Sequence, residues 1–166
     1  DDYARRYAPG AFVCLSESID LHRVTPESIP VPATLVGVTE DQLVTLDEMR
    51  ELVSRLAGPR RLYEIHSLFG HDAFLKERVQ LAPLFAQEYR IAAIDLSGHG
   101  ESGRRSAGYP RDTWAREVLA VAEDAGFDGP PILIGHSMGG MVTITAAAAF
   151  GERLAGAVIL DSAVRR

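Results

Sequence analysis

Pro131-Ile132-Leu133-Ile134-Gly135-His136-Ser137-Met138-Gly139-Gly140 joins a short apolar run to an Ala-rich stretch that continues to Phe150. The run reads as a buried strand and the stretch as a helix, with G-x-S-x-G at the turn between them. Glycines flank Ser137 because that turn is too tight for side chains beside it. The serine is held above a sheet with its hydroxyl at a helix N-terminus, which is the arrangement of a nucleophile elbow. The five-residue pattern alone arises by chance. A strand before it and a helix after it make it specific.

A serine nucleophile requires a base, and the base requires an orienting carboxylate. Five histidines are available. His136 lies inside the elbow and cannot turn back on the neighbouring hydroxyl. His22, beside Arg23 and ahead of Pro26, reads as a solvated loop residue. His66 reads as the cap of a strand end after Leu62–Ile65, and His99 belongs to the tight turn Ser97-Gly98-His99-Gly100. His71, in Leu68-Phe69-Gly70-His71-Asp72-Ala73-Phe74, lies on a loop after a strand and before a helix. That is the position of a mobile catalytic imidazole, and His71 is the preferred base. Asp41 follows the buried-type run Ala33–Val38, at a strand end where open α/β sheets gather their chemistry. A turn or N-cap aspartate is the alternative there.

Elements alternate along the chain. Helices are predicted at Ala11–Asp20, Leu46–Leu56, Asp72–Ala86, Thr113–Ala125 and Gly139–Phe150. Strands are predicted at Ala33–Val38, Arg61–Ile65, Arg90–Leu96, Pro131–Ile134 and Ala157–Asp161. Five strands alternating with helices imply an α/β fold with a mainly parallel sheet covered on both faces. Four of the strands are almost wholly apolar, as interior strands are. Leu62-Tyr63-Glu64-Ile65 carries a charge and suits an edge. Leu75, Val79, Ala82 and Ala86 would share one helical face, with a kink or two abutting helices at Pro83.

The 166 residues suit a single domain, and a composition of 46% hydrophobic and 24% charged residues is ordinary for a soluble globular chain. A net charge of −6 with scattered basic residues argues against a nucleic-acid partner. The single cysteine, Cys14, excludes an intramolecular disulfide and suits a reducing compartment; its apolar surroundings suggest a core position. No apolar span is long enough to cross a membrane and no signal pattern is visible, so a cytoplasmic location is expected. No metal-binding spacing of His or Cys is present.

Two resemblances are carried by these residues. From Tyr89 to Arg166 the chain resembles the first half of an α/β-hydrolase. The matching stretches are Tyr89-Arg90-Ile91-Ala92-Ala93-Ile94-Asp95-Leu96-Ser97-Gly98-His99-Gly100-Glu101-Ser102 and the Gly-His-Ser-Met-Gly-Gly elbow. From about Tyr7 to Glu77 it resembles the last third of the homoserine O-acyltransferases, which share that fold. There the matches are Leu15-Ser16-Glu17-Ser18-Ile19-Asp20, Pro32–Val38 with Asp41-Gln42-Leu43-Val44, and Gly70-His71-Asp72-Ala73-Phe74-Leu75. In α/β-hydrolases the triad runs Ser…Asp/Glu…His along the chain. Here it would run Asp41…His71…Ser137, the same cyclic order cut elsewhere. The resemblance therefore implies a circular permutation, or a fusion of two fragments, joined between Lys76 and Pro83. The C-terminal-type segment would cover residues 1–78 and the N-terminal-type segment 79–166. The corresponding sheet order runs Arg90–Leu96, Pro131–Ile134, Ala157–Asp161, Ala33–Val38, Arg61–Ile65. The elbow strand is then central and Asp41 lies two strands away.

The same resemblance implies serine-dependent acyl transfer or ester hydrolysis, with the Met138 amide as one oxyanion donor. Asp72 would hold the acceptor's amino group, an N-cap being the alternative. No cofactor is implied, and acyl-CoA is the candidate acyl donor. The lid, and the early strand whose loop supplies a second oxyanion amide, are expected to be lacking. Hydrolysis of small activated esters is then favoured over transfer, because an open site admits water. The competing reading is an inactive scaffold that associates through its sheet edge, and a homodimer is expected. The Asp-His-Ser order is also that of subtilisin-type proteases, which the glycine-flanked elbow and the short Asp-to-His spacing fit poorly.

Overall fold

A computed structural model describes residues 23–84, 90–104, 109 and 112–162. The predicted helix at Ala11–Asp20, with Cys14 and His22, lies outside the described residues. Four strands form one parallel sheet: β1 (Ala33–Val38), β2 (Arg60–Ile65), β3 (Ile132–His136) and β4 (Gly156–Leu160), in the order β2-β1-β4-β3. The expected order holds for these four. β1 is almost wholly buried, as a strand with neighbours and cover on both sides must be. β2 is the charged edge read from the sequence.

α1 (Leu46–Arg55) connects β1 to β2. It starts at a capping box in which the Glu48 N–H donates to the Thr45 hydroxyl while the Thr45 N–H donates to Glu48 at 2.8 Å. Met49 and Leu52 repeat on one helical face, and with Leu56 just past the helix end they bury against the sheet. α4 (Thr113–Asp124) and α5 (Met138–Phe150) lie beyond them. α5 is apolar all round because it is wedged against β3, β4 and α4. These helices cover one sheet face, reached by Leu35, Leu133, Ala157 and Ile159.

The opposite face is thinner. It is covered by two single-turn helices, α2 (Ala73–Lys76) and α3 (Arg78–Leu81), packed over Val36, Val38, Ile65 and Leu160. The expected helix over Asp72–Ala86 is thus broken first at Glu77 and again after Leu81, where a 3-10 turn at Ala82–Leu84 carries Pro83; Ala86 lies outside the described residues. Each turn packs through one small or apolar residue, Ala73 or Leu81, which leaves Leu75 and Val79 exposed instead of sharing a buried face.

The largest departure from expectation concerns Arg90–Leu96, which forms no strand. The segment is tethered to α4 and the residues that follow it. The Arg90 guanidinium donates to the Ala125 and Gly126 carbonyls at 2.7 and 2.8 Å, and the Trp114 indole donates to the Ser97 carbonyl at 3.0 Å. Apolar content makes a segment competent for a strand, but a ladder needs a neighbour, and Ile91 remains 82% exposed. β3 is consequently an edge, not the centre. Its Ile132 and Ile134 point to the thin face and are about half exposed.

Candidate active site

Each of the four parallel strands delivers a polar residue to the same end of the sheet. Asp41 follows β1, His71 follows β2, Ser137 follows β3 and Asp161 follows β4. This is the carboxyl end, where strand-to-helix loops are free to carry chemistry while the sheet fixes their roots.

Ser137 occupies the turn itself, at φ 50° and ψ −118°, and α5 begins at the next residue. A left-handed φ on a non-glycine residue is strained, and it persists because its surroundings enforce it. The Ser137 N–H donates to the Leu160 carbonyl at 3.1 Å, tying the turn to β4. Gly135 permits the approach of the helix: a Cβ there would overlap the Gly139 carbonyl and the Thr143 hydroxyl. Since the carbonyl is backbone and cannot swing aside, Gly135→Ala is expected to cost about 1–3 kcal/mol. Thermal unfolding should show a midpoint lowered by roughly 2–4 °C per kcal/mol.

Asp41 is buried, and its two oxygens divide their work. Oδ1 accepts from the Leu43 and Val44 N–H groups at 2.7 and 3.3 Å, closing the turn after β1. Oδ2 accepts from His71 Nδ1 at 2.6 Å. Burial alone would raise its pKa, yet hydrogen bonds from Asp161, His71 and the two backbone N–H groups hold it below the ordinary carboxylate value.

His71 sits in a loop shaped by Gly70, whose φ of +53° turns the chain. Glu40 pins that loop to the end of β1 by accepting from the Ser67 N–H at 2.8 Å. With Nδ1–H given to Asp41, Nε2 is the acceptor for the Ser137 hydroxyl at 2.8 Å. The sequence-derived trio Asp41, His71 and Ser137 is therefore one continuous hydrogen-bonded chain drawn from three loops.

Two further residues join the site without having been assigned to it from the sequence. His136 does not face the serine; its Nε2–H donates to the His71 carbonyl at 3.1 Å and its ring stacks on Phe74 at 3.8 Å. Burial, and then the neighbouring His71 imidazole, lower its pKa, so it supports the loop as a neutral ring. Asp161 is 2% exposed, with Oδ2 3.4 Å from His71 Nδ1. Its position at the end of a predicted strand was the available signal. His71, His136 and Asp161 each offer a donor atom within 4.8 Å of the others. Both nitrogens of His71 are already engaged, so the cluster is not read as a metal site.

The remaining predicted residues stand apart from the chain of hydrogen bonds. Asp72 is exposed beside His71; it occupies the N-cap position of α2 but makes no side-chain capping bond there. Met138 opens α5, where the first N–H groups lack intrahelical acceptors. His66 is exposed and bonded to the Thr39 hydroxyl at 2.9 Å, at the strand end as expected. No described helix is long and apolar enough to cross a membrane.

A family model described as alpha/beta hydrolase fold matches residues 61–165. The homoserine O-succinyltransferase of Xanthomonas campestris pv. campestris is 50% identical over 76 residues, which cover 45% of this chain and 20% of that protein. The homoserine O-acetyltransferase of Nocardia farcinica is 34% identical over 97 residues, 53% of this chain and 25% of that one. The lipase LipV of Mycobacterium tuberculosis is 36% identical over 108 residues, 65% of this chain and 39% of that one. The chain thus spans about a fifth to two fifths of the length of these relatives. With its parallel sheet, its covering helices and its match across most of the sequence, the chain belongs to the alpha/beta hydrolase fold family and resembles the homoserine O-acyltransferases within it.

Proposed function

We infer that this chain transfers or hydrolyses acyl groups through Ser137. The observation that carries the reading is the unbroken chain from Ser137 Oγ to His71 Nε2 at 2.8 Å and from His71 Nδ1 to Asp41 at 2.6 Å. Ser137 Oγ attacks the carbonyl carbon of an ester while His71 Nε2 takes the hydroxyl proton, and Asp41 steadies the imidazolium. The Met138 N–H stabilises the oxyanion at the N-terminus of α5. The tetrahedral intermediate expels the alkoxide, which receives the proton from His71. Water or an acceptor alcohol, deprotonated by the same imidazole, then attacks the acyl-serine and frees the enzyme.

Hydrolysis of small activated esters is the activity expected of the chain alone, with acyl-CoA as the candidate donor for transfer. The names of the similar proteins suggest homoserine as acceptor, with Asp72 holding its ammonium group. Acetyl transfer from p-nitrophenyl acetate, followed with and without homoserine, tests this finer reading. O-acetylhomoserine should form, and Asp72→Asn should lower its yield about tenfold while leaving p-nitrophenol release within about twofold, because one charge-assisted contact is worth 1.5–3 kcal/mol. Release of p-nitrophenol with no acylated homoserine would reduce the activity to hydrolysis.

A second reading, association of copies through β3, is favoured by half-exposed Ile132 and Ile134 at an edge with a neighbour on the β4 side alone among the described residues. Size-exclusion chromatography with light scattering should give a concentration-dependent dimer that Ile134→Lys abolishes. A monomer at every concentration, with little binding of an apolar dye, would remove this reading.

A further inference from the structure

The scheme above uses three of the four residues that the strands deliver, and leaves the fourth without a role. Asp161 follows β4, is 2% exposed, and both of its carboxyl oxygens are buried and accept no hydrogen bond. Its location is fixed from the backbone: the N–H donates to the Val36 carbonyl of β1 at 2.8 Å, and φ is 49°, a left-handed conformation that aspartate tolerates better than most residues. Oδ2 lies 3.4 Å from His71 Nδ1, whose proton Asp41 already accepts at the shorter distance of 2.6 Å. A second carboxylate in this position would be buried and unbonded beside a like charge, a combination that proteins avoid by keeping the group protonated.

We propose that Asp161 is a positioning residue: as a neutral carboxylic acid it donates its proton to the Asp41 carboxylate, so that His71 rests on a pair carrying one negative charge. This rests on Ser137, His71 and Asp41 acting as inferred above. The titratable groups facing Asp161 are Asp41 after β1, His71 after β2 and His136 at the end of β3; β4 itself contributes none. Burial, then the hydrogen bond and charge of Asp41, push the Asp161 carboxyl up to about 9. The same hydrogen bond is among those that hold Asp41 below its ordinary value. The two shifts are one event, a single proton shared unequally between two carboxyls. The donated O–H restrains Asp41 against rotating away from Nδ1 and satisfies an oxygen that would otherwise be orphaned.

The sign of the pH effect follows. Below about 9 the pair holds its proton and the imidazole faces one charge. Above it the shared proton is lost, two like charges face each other, and Asp41 loses the donor that restrains it beneath His71 Nδ1, so reactivity falls on the alkaline side. Asp161→Asn keeps the shape and an N–H donor toward Asp41 but has no proton to lose.

Two measurements test this. Infrared spectra of wild type and Asp161→Asn at neutral pH should differ by the carbonyl stretch of a protonated carboxylic acid, present in the wild type alone. Absence of that band overturns the proposal whatever the activity. The rate of labelling by a fluorophosphonate, followed across pH, should fall on the alkaline side in the wild type but not in Asp161→Asn. At neutral pH the variant should label within about threefold of wild type, since a shape-preserving substitution of a neutral group retains its hydrogen bond. A loss of about a hundredfold or more in a folded Asp161→Asn protein, or an alkaline limb that survives the substitution, overturns the neutral-acid role. Should the asparagine chain fail to fold, Asp161→Ser supports the same infrared comparison. Failure of the folded wild type to label sinks the nucleophile reading, and the infrared band then judges the carboxyl pair by itself.

Discussion

Ser137→Ala is expected to abolish labelling by a fluorophosphonate and to lower ester turnover by at least about 10⁴-fold, the scale seen when an activated serine is removed. The expectation follows from the elbow, which holds Ser137 at φ 50° with its hydroxyl 2.8 Å from His71 Nε2. No second hydroxyl shares that contact with His71 Nε2 among the described residues. The alanine protein should unfold at nearly the wild-type temperature, since the turn is fixed by the Ser137 N–H to Leu160 and by Gly135, neither of which changes. Stoichiometric labelling that persists in the variant would mean that the reactive nucleophile lies elsewhere.

The second large effect is expected at the base and its partner. His71→Ala removes the proton acceptor and should approach the serine variant, while Asp41→Asn should lower turnover by about 10⁴-fold by favouring the wrong imidazole tautomer. The two single losses should not add in the double variant, because the residues act as one unit. Asp41 carries a second duty, however. Its Oδ1 closes the turn to Leu43 and Val44, so Asp41→Ala should lose stability as well as activity while the asparagine, still an acceptor, should not. Kinetics and denaturant unfolding on the two variants separate these roles. Activity within about tenfold of wild type in Asp41→Asn would transfer the orienting role to Asp161.

The trio was legible because each member left a local mark. Ser137 lies in a glycine-flanked strand-to-helix junction, His71 follows a strand and a glycine, and Asp41 follows β1, the most uniformly buried strand. The order of the four strands that form came from the resemblance to α/β-hydrolases, once apolar runs had marked the elements. Arg90–Leu96 was not legible, because a run such as Ile91-Ala92-Ala93-Ile94 records suitability for a ladder and not the presence of a neighbour. For the same reason Ile132 and Ile134 read as interior residues although they face the thin side of an edge. Asp161 escaped notice because periodicity reports on side-chain polarity along a strand, and a carboxyl that remains polar yet becomes buried and neutral has no periodic signature. The break at Glu77 is set by how two short turns seat Ala73 and Leu81 on β1 and β2, which no local propensity encodes.

The pairing of β1 with β4 has a consequence for how the chain is made. Ala33 and Ala157 are partners in the sheet but stand near opposite ends of the described sequence. β1, α1 and β2 can pair as soon as they leave the ribosome, yet the inner edge of β1 must wait until Gly156–Leu160 has been made. Closing so long a loop is slow, and parallel pairing offers no local hairpin to hasten it. Throughout that interval the nascent chain presents Leu35, Val36 and Val38 on an unpaired strand, the kind of surface that associates with other chains. Production of this protein should therefore depend on temperature and on synthesis rate more than its native stability would suggest, with slower translation in the cold favouring soluble product.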